Sequence, residues 1–213
     1  RLPKERERLL LLLWWALPFA ALANFGKVLY PRFILFMTMP LFLLAAYSLH
    51  AVLRTHWKFV VALLLIPALY VSLGILIHPL TAHIPFADRG QFIDDWPAGG
   101  GVREVVTYLR AQASERPIRV YTEGTFGLMP YSLEIYLVDH PNVDITGIWP
   151  LPASMSAEMV RDASLQSTYF VMNVTQIAPS GWPLTLIGEY KKGKSPEDRK
   201  LRLYRVNAPI SAL

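Results

Sequence analysis

The sequence predicts a membrane α-helical region of three transmembrane helices, followed by a small extracytoplasmic α/β domain with a mixed sheet. Apolar residues crowd the first 78 positions, whereas charged and turn-forming residues recur throughout residues 79–213. The later part alternates helical and strand patterns and closes with a hairpin pattern, which is typical of an α/β fold. We therefore predict a transmembrane region at residues 1–78 and an extracytoplasmic domain at residues 79–213.

Three apolar runs are long enough to cross a bilayer as helices. At a rise of about 1.5 Å per residue, a helix needs roughly 20 residues to span about 30 Å of hydrocarbon. The runs that approach or meet this length are residues 9–25, 33–53 and 59–77. Each contains a proline, which a membrane bundle tolerates because neighbouring helices satisfy the freed backbone groups. These prolines are Pro18, Pro40 and Pro67.

The Lys and Arg residues beside these runs predict the orientation, because short loops rich in these residues stay on the cytoplasmic side. Six precede the first run or lie between the second and third: Arg1, Lys4, Arg6, Arg8, Arg54 and Lys58. Two, Lys27 and Arg32, lie between the first and second runs. This asymmetry predicts a multi-pass protein of the plasma or inner membrane, with the chain after His78 in the periplasm or at the cell exterior.

Helix and strand patterns alternate through the second domain. They predict three helices: one at residues 101–113, one from the turn EGTFGLMPY to about residue 138, and one after a cap at Ser154 or Ser156. Three strands are predicted at residues 118–122, 143–146 and 168–174. A closing hairpin is predicted from residues 184–190 and 201–206. Open α/β sheets bind ligands at the carboxyl ends of their strands. The loop at residues 123–127 is therefore the predicted binding edge.

The composition excludes several kinds of site. The chain has no cysteine, which rules out disulfides, thiolate metal sites and a cysteine nucleophile. The net charge of +5 owes much to the Lys and Arg beside the apolar runs, and no basic patch interleaved with aromatic residues indicates nucleic-acid binding. His78 and His83 do not have a helical metal-ligand spacing. We identify no metal site, no cofactor, no G-x-S-x-G motif and no catalytic residue.

Several charged stretches allow both a structural and a functional interpretation. Asp88 and Arg89 follow the last run, where they can pair with each other, bind the outer surface of the helices or contact a charged substrate. Together with Glu123 they are the substrate-facing candidates. Asp94 and Asp95 are adjacent in a segment predicted to be extended, so we expect their carboxylates on opposite faces rather than as a pair.

Three shorter patterns favour structural roles. The GTFG sequence at residues 124–127 has the wrong spacing for a dinucleotide or phosphate loop and predicts a turn. The glycine triplet at residues 99–101 precedes a helix, where it can bind an anion or simply let the chain enter the helix. Residues 173–175 match the N-glycosylation pattern, which occurs often by chance.

A cationic stretch lies at the predicted outer membrane surface. A long side chain at a helix end keeps its charge at the level of the lipid headgroups, which is one interpretation of Arg32. The other is that Lys27, Tyr30 and Arg32 hold a lipid-linked phosphate, because guanidinium forms charge-assisted and often bidentate bonds with phosphate oxygens. The spacing permits both.

Two long stretches resemble a known family. The sequence YPRFILFMTMPLFLLAAYSL resembles the segment that opens a late transmembrane helix in polyprenyl-phosphate-dependent membrane glycosyltransferases of the GT-C superfamily. That superfamily includes protein O-mannosyltransferases and aminoarabinose transferases. The stretches DRGQFIDDWPAGGGVREVVTYLR and VYTEGTFGLMPYSLEIYLVDHPNVDITGIWPL are similar to the outer C-terminal region of its bacterial members.

The resemblance implies that the chain is the C-terminal portion of an integral-membrane glycosyltransferase. The sugar would pass from a polyprenyl-phosphate donor to an extracytoplasmic glycan, lipid or protein acceptor, with Tyr30 and Arg32 near the lipid phosphate. The family's catalytic aspartate lies on helices that would precede Arg1, and the missing methionine at that position also predicts a fragment. The alternative is a non-enzymatic membrane-anchored module that binds a glycan or a protein.

Overall fold

The computed structural model describes residues 5–26, 35–55, 58–193 and 199–208. By its backbone packing the chain divides into two compact units, Arg1–Asp88 and Arg89–Leu213. Each unit has its own secondary structure.

The first unit contains three long helices, α1 at Glu5–Phe25, α2 at Leu35–Leu53 and α3 at Lys58–Ile77. All three are long and apolar enough to cross a membrane. Most of their large apolar side chains are exposed, which in water would be unfavourable and in lipid is not. The three predicted spans are thereby confirmed as helices of membrane length, while their orientation remains a prediction.

The prolines lie inside these helices, as the sequence predicts. Pro18 is in α1, Pro40 in α2 and Pro67 in α3. Helix α2 packs against both α1 and α3, and Met37 and Pro40 are its buried side chains among those described. The proline of the middle helix therefore sits in a packed environment.

Short helical turns follow α3 and were not expected from the sequence. A 3₁₀ turn covers Pro79–Thr81, helix α4 covers Phe86–Arg89, and a π-helical turn covers Gly90–Asp94. The segment that holds Asp94 is thus helical and not extended, which corrects the sequence-based expectation. The π turn closes where the Asp95 N–H donates to Gly90 O at 2.9 Å.

The second unit is an α/β domain built on a mixed five-stranded sheet. Its elements in chain order are α5 at Val102–Glu115, β1 at Ile118–Glu123, α6 at Tyr131–Tyr136, β2 at Val143–Ile148, α7 at Ala157–Leu165, β3 at Ser167–Met172, β4 at Leu184–Lys191 and β5 at Lys200–Val206. The strand order is β2-β1-β3-β5-β4. Strand β1 is parallel to both neighbours, whereas β5 is antiparallel to β3 and to β4. The predicted mixed sheet and closing hairpin are confirmed.

Helices cover both faces of the sheet. Alternate residues of a strand point to opposite faces, and in β1 Val120 joins the core beneath α5 and α6 while Tyr121 joins the core beneath α7. Leu133 of α6 packs in the first core and Met159 of α7 in the second. Because α6 connects β1 to β2 and α7 connects β2 to β3, the direction of winding reverses between β1 and β3.

A cluster of ion pairs around the buried side chain of Arg119 connects α7 to the sheet. Arg119 of β1 pairs with Asp144, with Glu158 at 3.1 Å and with Asp162 at 3.2 Å. The Tyr121 hydroxyl donates to Asp162 Oδ2 at 2.8 Å. One buried guanidinium thus satisfies carboxylates from β2 and α7, and its contacts assign it a structural role.

Candidate functional site

The three lipid-phosphate candidates, Lys27, Tyr30 and Arg32, lie outside the described residues. Their role as a phosphate site therefore remains a prediction from charge patterning and family resemblance.

The carboxyl edge of the sheet gathers side chains from four strands. Strands β1, β2 and β3 are parallel, and β4 has the same direction because both it and β3 are antiparallel to β5. At this edge β1 ends with Glu123, and the residues directly after β2, β3 and β4 are Trp149, Asn173 and Lys192. The winding reverses between β1 and β3, which is where open α/β sheets form a ligand crevice.

A pocket of about 230 Å³ occupies this crevice. Its lining residues are Trp96, Glu123, Gly124, Phe126, Met129, Trp149, Asn173 and Thr175. Drug-sized ligands occupy pockets of about 300–1,000 Å³, so this one suits a single small ring. It combines aromatic walls with a few polar groups, which is the usual make-up of a small-molecule site.

Glu123 forms the polar floor of the pocket. The residue is 2% exposed, and its carboxylate accepts a hydrogen bond from the Asn173 N–H at 2.6 Å and another from the Thr175 hydroxyl. These bonds join the ends of β1 and β3 across the point where the winding reverses. Each carboxylate oxygen retains capacity for a further donor. The structure places Glu123 in the lining of this pocket, and its role as a substrate-facing residue stays a prediction.

Asn173 supplies a second polar group. It is 4% exposed, and its Nδ2 donates to Trp96 O at 2.9 Å. Within the described part of the chain, no donor reaches its Oδ1 atom. Because the side-chain amide is buried and already engaged, the match to the N-glycosylation pattern at this position does not mark an accessible acceptor. The residue belongs to the pocket.

Aromatic side chains form the walls. The Trp96 and Phe126 rings meet edge to face with their centroids 5.9 Å apart, and Trp149 is 50% exposed at the pocket. Gly127 allows this arrangement, since its φ of 81° suits glycine and a Cβ there would lie 2.8 Å from the Trp96 ring. The glycines of GTFG thus shape a turn, as predicted, and that turn carries a wall of the pocket.

Lys192 holds the segment that carries Trp96. The residue is 1% exposed, and its ammonium donates to Ala98 O at 2.8 Å, to Trp96 O at 3.3 Å and to Asp95 O at 3.4 Å. Three carbonyl oxygens of one loop therefore share a single cation from the β4–β5 connection. The position of the Trp96 wall depends on this contact and on the amide of Asn173.

Burial lowers the pKa of the Lys192 ammonium to about 8. The loss of hydration disfavours the charged form, while the nearby carboxylates of Asp95 and Glu123 oppose this and raise the pKa. Glu123 and Lys192 are linked through Asn173, whose N–H donates to Glu123 and whose side-chain amide donates to the same Trp96 O as Lys192.

Arg89, Asp94 and Asp95 have ion-pair partners of their own. Arg89 pairs with Asp94, with 2.8 Å between Nε and Oδ2, and Asp95 pairs with Arg199 at 2.5 Å. The sequence predicts that Asp94 and Asp95 do not form a carboxylate pair, and the structure agrees. The reason is that each carboxylate has a separate partner, and not that the backbone is extended. Asp88 lies in α4. Neither Asp88 nor Arg89 lines the pocket.

The glycine triplet before α5 has a packing role at its last position. Gly101 caps the helix with a φ of 88°, and a Cβ there would lie 2.6 Å from the Tyr190 Cβ. The close approach of β4 requires glycine here. This supports the structural interpretation of the triplet over the anion site.

A second hollow lies at the opposite edge of the sheet. Its volume is about 630 Å³, and Arg116, Gln166 and Arg205 on its lining are all exposed. An open hollow with a solvated lining offers little to fix a ligand. The smaller pocket, whose polar groups are buried, is the better candidate for a binding site.

Sequence reasoning found Glu123 and missed its companions. Trp96, Trp149, Asn173 and Lys192 come from separate loops, and their meeting depends on the strand order. A signal is present for Asn173, because it lies near the carboxyl end of the predicted strand at residues 168–174, as Glu123 lies directly after the predicted strand at residues 118–122. Among the residues that the structure covers, no group of His, Asp and Glu has the arrangement of a metal site.

No family model, curated protein or solved structure matches this chain.

Proposed function

We propose that this chain is part of an integral-membrane glycosyltransferase that transfers a sugar from a polyprenyl-phosphate donor to an extracytoplasmic acceptor. The α/β unit contributes the pocket at its carboxyl edge, which selects the acceptor. Three helices of membrane length anchor that unit to the bilayer in which the lipid donor resides.

The observation that carries the proposal is the pocket between β1 and β3. Glu123 and Asn173 present oxygen acceptors there, and Trp96 and Trp149 present aromatic surface. A small polar ligand with an apolar ring face fits these groups, and a glycan acceptor has that chemistry. The resemblance of the stretches around this pocket to the outer region of bacterial GT-C enzymes supports the same assignment.

In the proposed reaction, a carboxylate deprotonates the acceptor hydroxyl, whose oxygen attacks the anomeric carbon while polyprenyl phosphate leaves. Family resemblance assigns that carboxylate to helices that precede Arg1. Arg32 stabilises the negative charge that develops on the departing phosphate, as cationic groups do in phosphate-leaving reactions. Lys27 and Tyr30 contribute to the same lipid-phosphate site.

The alternative is a non-enzymatic module that is anchored by α1–α3 and binds a glycan or protein in the same pocket. Both candidates use the pocket, and they differ in whether the sugar is transferred. The test is transfer of radiolabelled sugar from polyprenyl phosphate in membranes that contain the complete gene product. Incorporation of the labelled sugar into an extracytoplasmic acceptor supports the enzyme. If no sugar is incorporated from a lipid donor that another transferase can use, the non-enzymatic module is favoured.

The orientation gives a prediction that cysteine labelling can check. Because the chain has no cysteine, a Ser114→Cys variant carries one thiol, on an exposed position of α5. We expect a membrane-impermeant maleimide to label it in intact spheroplasts. A Thr55→Cys variant, at an exposed position after α2, should be labelled only after lysis.

The two variants serve as controls for each other, since they lie on opposite sides of the membrane in the predicted topology. Labelling of Thr55→Cys in intact spheroplasts together with protection of Ser114→Cys would reverse the orientation. The encounter of the α/β unit with an outer-leaflet lipid donor would then be impossible.

A further inference from the structure

One of the residues that line the pocket, Asn173, has a side-chain carbonyl oxygen without a hydrogen-bond donor from the residues that the structure describes. Asn173 Oδ1 is buried, and among the residues described no donor reaches it. A buried carbonyl without a partner is unfavourable, and the natural remedy is a donor on a ligand or a water. The carboxylate oxygens of Glu123 lie in the same pocket and can each accept another donor. A ligand that supplies hydrogen-bond donors would satisfy these acceptors.

The charges at the pocket favour a neutral ligand. Glu123 is the one ionisable side chain among the described residues that line it. The Lys192 ammonium lies nearby, since it and the Asn173 side-chain amide both donate to Trp96 O while the Asn173 N–H donates to Glu123. Its positive charge offsets that of the carboxylate. An anionic ligand would be repelled by Glu123, and a cationic ligand would meet a carboxylate that is already compensated. A neutral molecule avoids both costs.

The walls and the volume favour a ring with one apolar face. Trp96, Phe126 and Trp149 line the pocket, and the Trp149 side chain is half exposed. Aromatic rings bind C–H-rich surfaces well, while a volume of about 230 Å³ accommodates one ring and not a chain of them.

We propose that the pocket binds a single neutral sugar ring, which stacks on the aromatic walls and donates hydroxyl hydrogens to Asn173 Oδ1 and the Glu123 carboxylate. This inference rests on the proposed function, because it names the ligand class of the same pocket. It needs no covalent step. The recognised sugar is a terminal residue of the acceptor, held by its ring and not by a charge.

The experiment measures binding to the complete chain in nanodiscs by isothermal titration and saturation-transfer NMR. The probes are the methyl pyranosides of glucose, galactose, mannose and N-acetylglucosamine, with tetramethylammonium chloride and inorganic phosphate as charged probes. We expect at least one pyranoside to bind, and both charged probes to bind at least about tenfold more weakly than that pyranoside. Tighter binding of tetramethylammonium or phosphate, or binding of none of the pyranosides, overturns the proposal.

Variants locate the binding. Trp149→Ala should weaken the best pyranoside by about 3- to 10-fold, and Trp149→Phe should restore most of the affinity, because stacking needs an aromatic face. Tyr136→Ala is the matched control, since it removes an exposed aromatic residue from α6 and should leave binding unchanged. Equal binding by the parent and Trp149→Ala would place the sugar elsewhere and overturn the assignment.

The donor requirement is tested on the ligand, where the protein fold is not at risk. For the best pyranoside, we expect at least one hydroxyl whose replacement by fluorine weakens binding about tenfold or more, since fluorine cannot donate. If every fluorinated analogue binds as well as the parent sugar, the acceptors of the pocket are not engaged and the proposal fails. The binding measurements contain no polyprenyl-phosphate carrier, so their outcome does not depend on sugar transfer. If the chain binds a pyranoside but the complete gene product transfers no sugar, only the transferase proposal fails. If sugar is transferred but no pyranoside binds, only this inference fails.

Discussion

Replacing Arg32 with alanine in the complete gene product is expected to lower sugar transfer by about 10- to 100-fold. A hydrogen bond to a charged group contributes about 1.5–3 kcal/mol, and each 1.36 kcal/mol of transition-state stabilisation changes the rate tenfold. Arg32→Lys should lose less, because a lysine keeps the charge but cannot form the two parallel bonds of a guanidinium. Initial rates of transfer from radiolabelled donor check the prediction.

Arg54→Ala is the matched control for this series. Arg54 also lies beside a membrane-length helix, at the end of α2, but on the predicted cytoplasmic side. Its replacement should leave transfer unchanged. Equal transfer by the parent, Arg32→Ala and Arg32→Lys would show that Arg32 only keeps its charge at the headgroups. A loss in Arg54→Ala as large as in Arg32→Ala would point to membrane insertion and not to phosphate binding.

The buried ammonium of Lys192 is expected to make the stability of the α/β unit depend on pH. Its pKa in the folded chain is about 8, below the ordinary value of 10.5, so between these values the unfolded chain binds more protons and stability rises with pH. The full difference corresponds to about 3 kcal/mol, of which about 2 kcal/mol should appear between about pH 7.5 and about pH 9.5. Urea unfolding followed by near-ultraviolet circular dichroism measures it.

Lys192→Met provides the reference, because methionine fills a similar volume without titrating. The free energy of unfolding of the parent minus that of Lys192→Met should increase over this pH range. Lys191→Met, at the exposed neighbouring position, should behave as the parent does. Parallel pH curves for the parent and Lys192→Met would contradict a buried ammonium at this position.

Lys192 also connects stability to the pocket. The same ammonium donates to the Trp96 carbonyl, so its deprotonation above about pH 8 removes charge from the contact that positions a pocket wall. The free energy of unfolding increases as the buried cation is neutralised. The loop that carries Trp96 meanwhile loses the charge-assisted hydrogen bonds from the Lys192 ammonium, which are stronger than bonds from a neutral amine. Stability and pocket order are therefore expected to respond to pH in opposite directions.

Periodicity located most of the elements but not their ends. The third strand was expected to run through residue 174, whereas β3 ends at Met172 and leaves Asn173 in the loop at the pocket. The sequence pattern of a strand continues past Met172 because Asn173 and Val174 are compatible with an extended backbone. What ends the strand is the hydrogen bond from the Asn173 N–H to Glu123, a residue 50 positions earlier.

By itself the sequence determined the three membrane-length helices, the α/β class, the mixed sheet and one pocket residue, Glu123. These follow from local rules, since hydrophobic length and the periods of helix and strand are properties of contiguous residues. Only the tertiary structure decided that Asn173 and Trp96, 77 positions apart, share a hydrogen bond, and that Lys192 anchors the same loop. Those contacts depend on the order of strands in the sheet, which is set by packing between distant segments.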